Sequence, residues 1–78
     1  MAVAVTVTAK YENGLPLAAS TSIGIPCVSV RNVRAITGGI YGDSTINSKV
    51  TVYDPDAVKN LEYLCTETAS AIVTAMNA

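Results

Sequence analysis

Val3-Ala4-Val5-Thr6-Val7-Thr8-Ala9-Lys10-Tyr11, followed by Glu12-Asn13-Gly14, is the stretch that decides the fold class. Val3, Val5, Val7, Ala9 and Tyr11 fall on one side of a period of two, with Thr6, Thr8 and Lys10 on the other. This is the pattern of a half-buried strand rich in β-branched residues. Asn-Gly then supplies two residues that tolerate positive φ, so a tight hairpin is expected there. Residues 15–18 return alongside, with Pro16 placed where no amide donor is needed.

Further along the chain the signals weaken. Beyond the polar run Ser20-Thr21-Ser22, residues 23–30 read as a second strand, with Pro26 on an edge or at a bulge. Val30, Val33 and Ile36 are spaced by three, which predicts one tight helical turn between strands. Gly38-Gly39 and Gly42-Asp43 bracket Ile40-Tyr41 and predict a loose hairpin tip. Over residues 46–53 the alternation resumes, with Ile46, Val50 and Val52 on one face and Lys49, Thr51 and Tyr53 on the other.

The last third admits two readings. Asp54-Pro55-Asp56 can start one long helix, as N-cap, proline at the first helical position and an acid in the first turn. Val58, Leu61, Cys65, Ile72 and Met76 then recur at helical spacing. Alternatively, Asp54-Pro55-Asp56 is a turn, residues 61–66 form a strand, and a short helix begins near Thr68, capped by Thr66 or Thr68. Cys65, Thr66 and Thr68 are poor helix formers, which favours the second reading, although periodicity alone does not settle it. Both give one α+β domain over residues 1–78: a small antiparallel sheet of hairpins with a C-terminal helix packed on or beside it.

Composition narrows the function. A chain of 78 residues buries only about 60–65% of its unfolded surface, so its core needs a supplement. There is no histidine and there are two cysteines, Cys27 and Cys65, which argues against a zinc site and allows one disulfide at most. Buried thiols are the simpler expectation. Oligomerisation remains as the supplement. Half the residues are hydrophobic but only 14% are charged, against about 25% in a usual soluble domain, which leaves much neutral surface for a partner. A net charge of −1 provides no field for nucleic acid or anionic membrane. Apolar stretches are too short for a membrane span, and the N-terminus lacks the basic start and apolar block of a signal peptide. A cytoplasmic location is expected, or a place in whatever the chain assembles into.

Chemistry-bearing residues are sparse. Without histidine there is no Ser/His or Cys/His pair, and no serine lies in a Gly-x-Ser-x-Gly elbow. Asp54 and Asp56 suit a turn, Glu67 suits the positive end of the last helix, and the Gly38–Gly42 region lacks the lysine of a phosphate loop. No catalytic, cofactor-binding or metal-ligating residue is predicted, and the chain is read as non-enzymatic. The basic residues leave an alternative. Lys10, Arg31, Arg34 and Lys49, with Tyr11, Tyr41 and Tyr53, could make a sheet platform for single-stranded nucleic acid.

Glu62-Tyr63-Leu64-Cys65-Thr66-Glu67-Thr68-Ala69-Ser70-Ala71-Ile72-Val73 resembles the ending of small proteins encoded by tailed bacteriophages, a strand, then Thr-Glu-Thr, then a short Ala/Ile/Val helix. Residues 28–36 are similar to the strand–turn–strand pattern of those proteins. The resemblance brings no catalytic residue with it. It implies a virion-associated protein, such as an auxiliary capsid subunit. Together with the low charge this leads to a structural or assembly subunit, homo-oligomeric or part of a larger protein assembly. The expected pairing surface is the first strand at Val3, Val5 and Val7.

Overall fold

A computed structural model describes residues 1–78 as five strands, a three-residue 3-10 turn and one helix. In chain order these are β1 (Ala4–Glu12), β2 (Leu15–Pro26), the 3-10 turn (Cys27–Ser29), β3 (Val30–Ala35), β4 (Ser48–Asp54), β5 (Lys59–Cys65) and α1 (Ala69–Met76). All strand pairs are antiparallel, in the order β2-β1-β5-β4-β3. The α+β class expected from the sequence is observed.

The β1–β2 turn forms as its residues dictate, with Asn13 at φ 53° and Gly14 at φ 81°. Asn13 also fastens the turn to β5: its amide donates to the Glu62 carbonyl at 2.8 Å, and its side-chain oxygen accepts from the Glu62 amide at 2.9 Å. At the other end of the chain, Thr68 caps α1, its hydroxyl accepting from the Ala71 amide at 3.1 Å. The turn-strand-short-helix reading of the last third is therefore the one the chain adopts. Asp54 serves its turn, accepting from the Asp56 amide at 3.0 Å. Glu67 does something other than cap the helix: it accepts from the Thr8 amide at 2.8 Å, continuing the β1–β5 contact past the end of the ladder.

Two local expectations are corrected. Residues 15–26 form one strand, so Ser20-Thr21-Ser22 lies inside it. Residues 30–35 are a strand and not a helical turn, and the 3-10 turn sits earlier, at Cys27–Ser29. The spacing of three between Val30 and Val33 comes from a bulge, where the β3–β4 register slips between Val30 and Asn32. One extra residue turns a period of two into a step of three.

Connectivity shows that the sheet is curled. β2 and β3 lie at opposite ends of the strand order, which in a flat sheet means four spacings of ~4.8 Å, or ~19 Å. They are joined only by Cys27–Ser29, and a 3-10 turn advances about 2 Å per residue. The two outer strands must therefore approach each other at that end, giving an open barrel. α1 packs against both β1 and β3 and sends Ile72 into the core, where it is 2% exposed. Val5, Val7 and Ala9 from β1 meet Ile25, Val50, Val52, Tyr63 and Cys65 inside the curl. Cys27 and Cys65 are free and buried. The buried Ser48 hydroxyl, opposite Cys65 in the β4–β5 register, lacks a hydrogen-bond partner of normal geometry.

The β4–β5 turn holds Val58 at φ 51°, and the residue is 74% exposed. A β-branched residue is strained there, by about 1–2 kcal/mol, and it has little packing to lose. Val58→Gly is expected to raise stability by about 1 kcal/mol in urea unfolding, with an unchanged m-value.

Candidate assembly edge and outer face

The first candidate surface is a sheet edge, and its location differs from the expectation. β1 is paired with β2 on one side; on the other it pairs with β5 only over Ala9, Tyr11 and Glu12, and residues 4–7 have no partner strand there. Val5 and Val7 are 5% and 0% exposed, so their side chains belong to the domain's own core. Val3 is exposed but precedes the strand. The Val5 and Val7 side chains are therefore not a free face for a partner, because period-two alternation marks a buried face and says nothing of whether a strand is outermost.

The strands at the two ends of the sheet order are β2 and β3, and they differ. β3 is short and bulged, carries Arg31 and Arg34, and has α1 against it, which are devices that discourage edge pairing. β2 is the longest strand, and residues 13–30 contain no charged side chain at all. Its first half is irregular: the register slips opposite Ala9–Tyr11, leaving residues 17–20 without partners in β1. Its second half, residues 21–26, is regular.

Which groups face the open side follows from the ladder. Thr8 uses its amide and carbonyl on the β5 side, with Glu67 and Thr66. In an antiparallel pair the residue opposite it, Ser22, then directs its own amide and carbonyl away from β1. Gly24, two residues on and opposite Thr6, does the same, and a Cβ built on Gly24 would meet nothing within 4 Å. Beside this edge, where the barrel is open, lies a mostly apolar cleft of about 290 Å³ lined by Ile23, Ile25, Val52, Leu61 and Tyr63, with Asp54 also in its lining. Sequence reasoning missed the edge. The signal available was the charge-free run from 13 to 30.

No protein-family model, curated protein or solved structure matches this chain. The chemistry of the surface therefore rests on the residues themselves.

The second surface is the outer face of the sheet. Residues 36–47 fold across it, held by Lys10, whose Nζ lies 3.0 Å from Asp43 and 2.7 Å from the Thr45 hydroxyl. Tyr41 packs on Tyr11 with ring centroids 5.0 Å apart and the rings tilted by 44°, and Asn47 donates to the Thr66 carbonyl at 2.8 Å. Ile46 and Leu64 are buried outside the main core.

Of the four cations singled out in the sequence, three line β3 and β4. Arg31 lies over the Tyr53 ring at 5.2 Å, and Arg34 is directly opposite Lys49. Lys10 is apart, on β1. Acids are interspersed, since Lys10 pairs with Asp43 and Lys49 with Glu62 at 3.4 Å. A continuous cationic track for a nucleic-acid strand is not formed.

Thr45 donates to Asp43 from both its hydroxyl and its amide, and with Lys10 this holds the Asp43 carboxyl down at about 2, below its ordinary 3.8. A depressed carboxyl stabilises the fold above pH ~4, and that contribution is lost as pH falls through about 2. Amide resonances of residues 40–45 should therefore titrate near pH 2, and Asp43→Asn should remove that transition.

Two buried groups, the Cys65 thiol and the Tyr63 phenol, stay protonated at neutral pH. Burial raises the Cys65 thiol to about 12, helped by the Glu67 charge. Burial, then the Glu12 carboxylate beside it, raises Tyr63 to about 12. No three His, Cys, Asp or Glu side chains converge as metal ligands, and no helix is long and apolar enough to cross a membrane.

Proposed function

We propose that this chain is a non-enzymatic assembly subunit that pairs with a second copy of itself through the open edge of β2, as an auxiliary component of a bacteriophage virion. The observation that carries the reading is the free, charge-free half of β2 beside a mostly apolar cleft. Strand addition needs both parts: main-chain donors and acceptors for affinity, and a hollow for alternate side chains.

The occupant is a copy because the edge is self-complementary. An antiparallel pairing with its two-fold beside Ile23 sets Ser22 opposite Gly24 of the copy, and Gly24 opposite Ser22. Every group so paired is one that β1 leaves free. Ile23, half-buried at the cleft, then meets Ile23 of the copy, and no charge on either strand opposes the approach. Exposed Leu15 at the start of β2 and Val28 in the 3-10 turn that follows it add apolar margin. The virion assignment rests on the resemblance of residues 62–73 to phage-encoded proteins.

Amide hydrogen exchange tests the edge without a mutation. Protection at Ser22 and Gly24 is expected to rise with protein concentration while that of Ile23 and Ile25, bonded to β1, stays constant. Fast exchange at Ser22 and Gly24 at every concentration would remove β2 as the surface.

A further inference from the structure

Away from β2, strands β3 and β4 and the crossing segment 36–47 enclose a cleft of about 430 Å³, within the range of small-molecule sites. We propose that it binds a monocarboxylate with an apolar body, whose charged end is held by Arg34 and Lys49.

Charge balance gives the head group. Arg34 and Lys49 are directly opposite in the β3–β4 register, and like charges so placed destabilise a sheet. One acid is in reach: Glu62, 3.4 Å from the Lys49 Nζ and half exposed. Arg34 is exposed and has no ion pair or side-chain hydrogen bond. Two cations against one carboxylate leave +1, which a single carboxylate neutralises, and a guanidinium offers it a two-point fork. A phosphate dianion overshoots that balance.

The floor gives the body. Ile36 and Ile40 are half-buried, and Leu64 is 5% exposed although it lies on the outer face, opposite Lys49. A carboxylate group alone fills a small part of the cleft, and an apolar chain removes these side chains from water at about 25 cal/mol per Å². The wall is fixed in advance. Gly38 and Gly39 both have positive φ, and a Cβ on Gly39 would run into the Asp43 carbonyl, so this tight crossing is built for glycine. A preformed wall lowers the ordering cost of binding.

The test is a titration of the full chain, followed by amide resonances, with hexanoate and with N-acetyl-leucyl-leucine, whose free end is a peptide carboxyl terminus. Saturable shifts confined to residues 34–40, Lys49 and Leu64 are expected with either acid. The tighter of the two tells whether the natural ligand is a free organic acid or a chain terminus. Arg34→Gln should weaken binding about tenfold or more, and Glu62→Gln should tighten it about threefold by freeing Lys49. Hexanol should give no comparable response. The proposal is overturned if shifts do not saturate by about 20 mM, if Arg34→Gln leaves them unchanged, or if hexanol matches hexanoate. It is also overturned if inorganic phosphate or a single-stranded oligonucleotide moves the same amides more strongly than either acid.

Discussion

Ser22→Pro is expected to give a folded protein that no longer pairs through the proposed β2 edge. The Ser22 amide points away from β1, so the substitution removes no hydrogen bond from the domain, and its extended backbone accepts a proline ring on an edge strand. Across the two-fold the loss counts twice, because each copy forfeits a donor and leaves the Gly24 carbonyl opposite without a partner. Two unmet bonds at about 1–2 kcal/mol each, with the ring intruding on the partner strand, weaken self-association by about 100-fold or more. Light scattering should report the monomer mass while the circular dichroism and the thermal transition of the domain are retained. Retention of the assembled mass by a folded Ser22→Pro protein would place the contact elsewhere.

Val5→Lys is expected to do something different: it should unfold the domain. Val5 is 5% exposed and packs within the curl with Val7, Ile25 and their neighbours. No carboxylate belongs to that core cluster, so an ammonium there is left uncompensated, at about 3–5 kcal/mol. A domain of 78 residues has about 4–12 kcal/mol of total stability. Loss of dispersed amide resonances, or a thermal midpoint lower by tens of degrees, is the expected readout. A Val5→Lys protein that stayed folded and lost only its assembly would restore β1 as the interface. The two substitutions thus separate edge from core: one spares the fold and breaks the contact, the other breaks the fold.

Much of the architecture was legible locally. The Val/Thr alternation, the Asn13-Gly14 turn and the Thr68 cap each depend on residues a few positions apart, and each forms as its residues require. The misreadings arose where local pattern and tertiary context part. The bulge at Arg31 inserts one residue and makes a strand look like a helical turn. Ser20-Thr21-Ser22 is polar enough to read as a loop, yet it belongs to an outer strand, where polarity costs nothing. Strand order is set by long-range pairing, and residues 3–11 contain no sign that β5 comes to lie beside β1. That gap hid that the Val5 and Val7 side chains face the domain's own core. Chemistry at the outer face was half visible: Arg34 and Lys49 stood out as cations, but only the register brings them together and only the segment 36–47 builds the cleft beside them.

Solution mass, measured by size exclusion with light scattering across concentration and salt, tests the central claim most directly. A discrete even-numbered oligomer that persists as salt is raised is predicted, because the β2 edge contributes backbone bonds and apolar contact and no charge. A monomer at every concentration and salt would contradict self-assembly through β2.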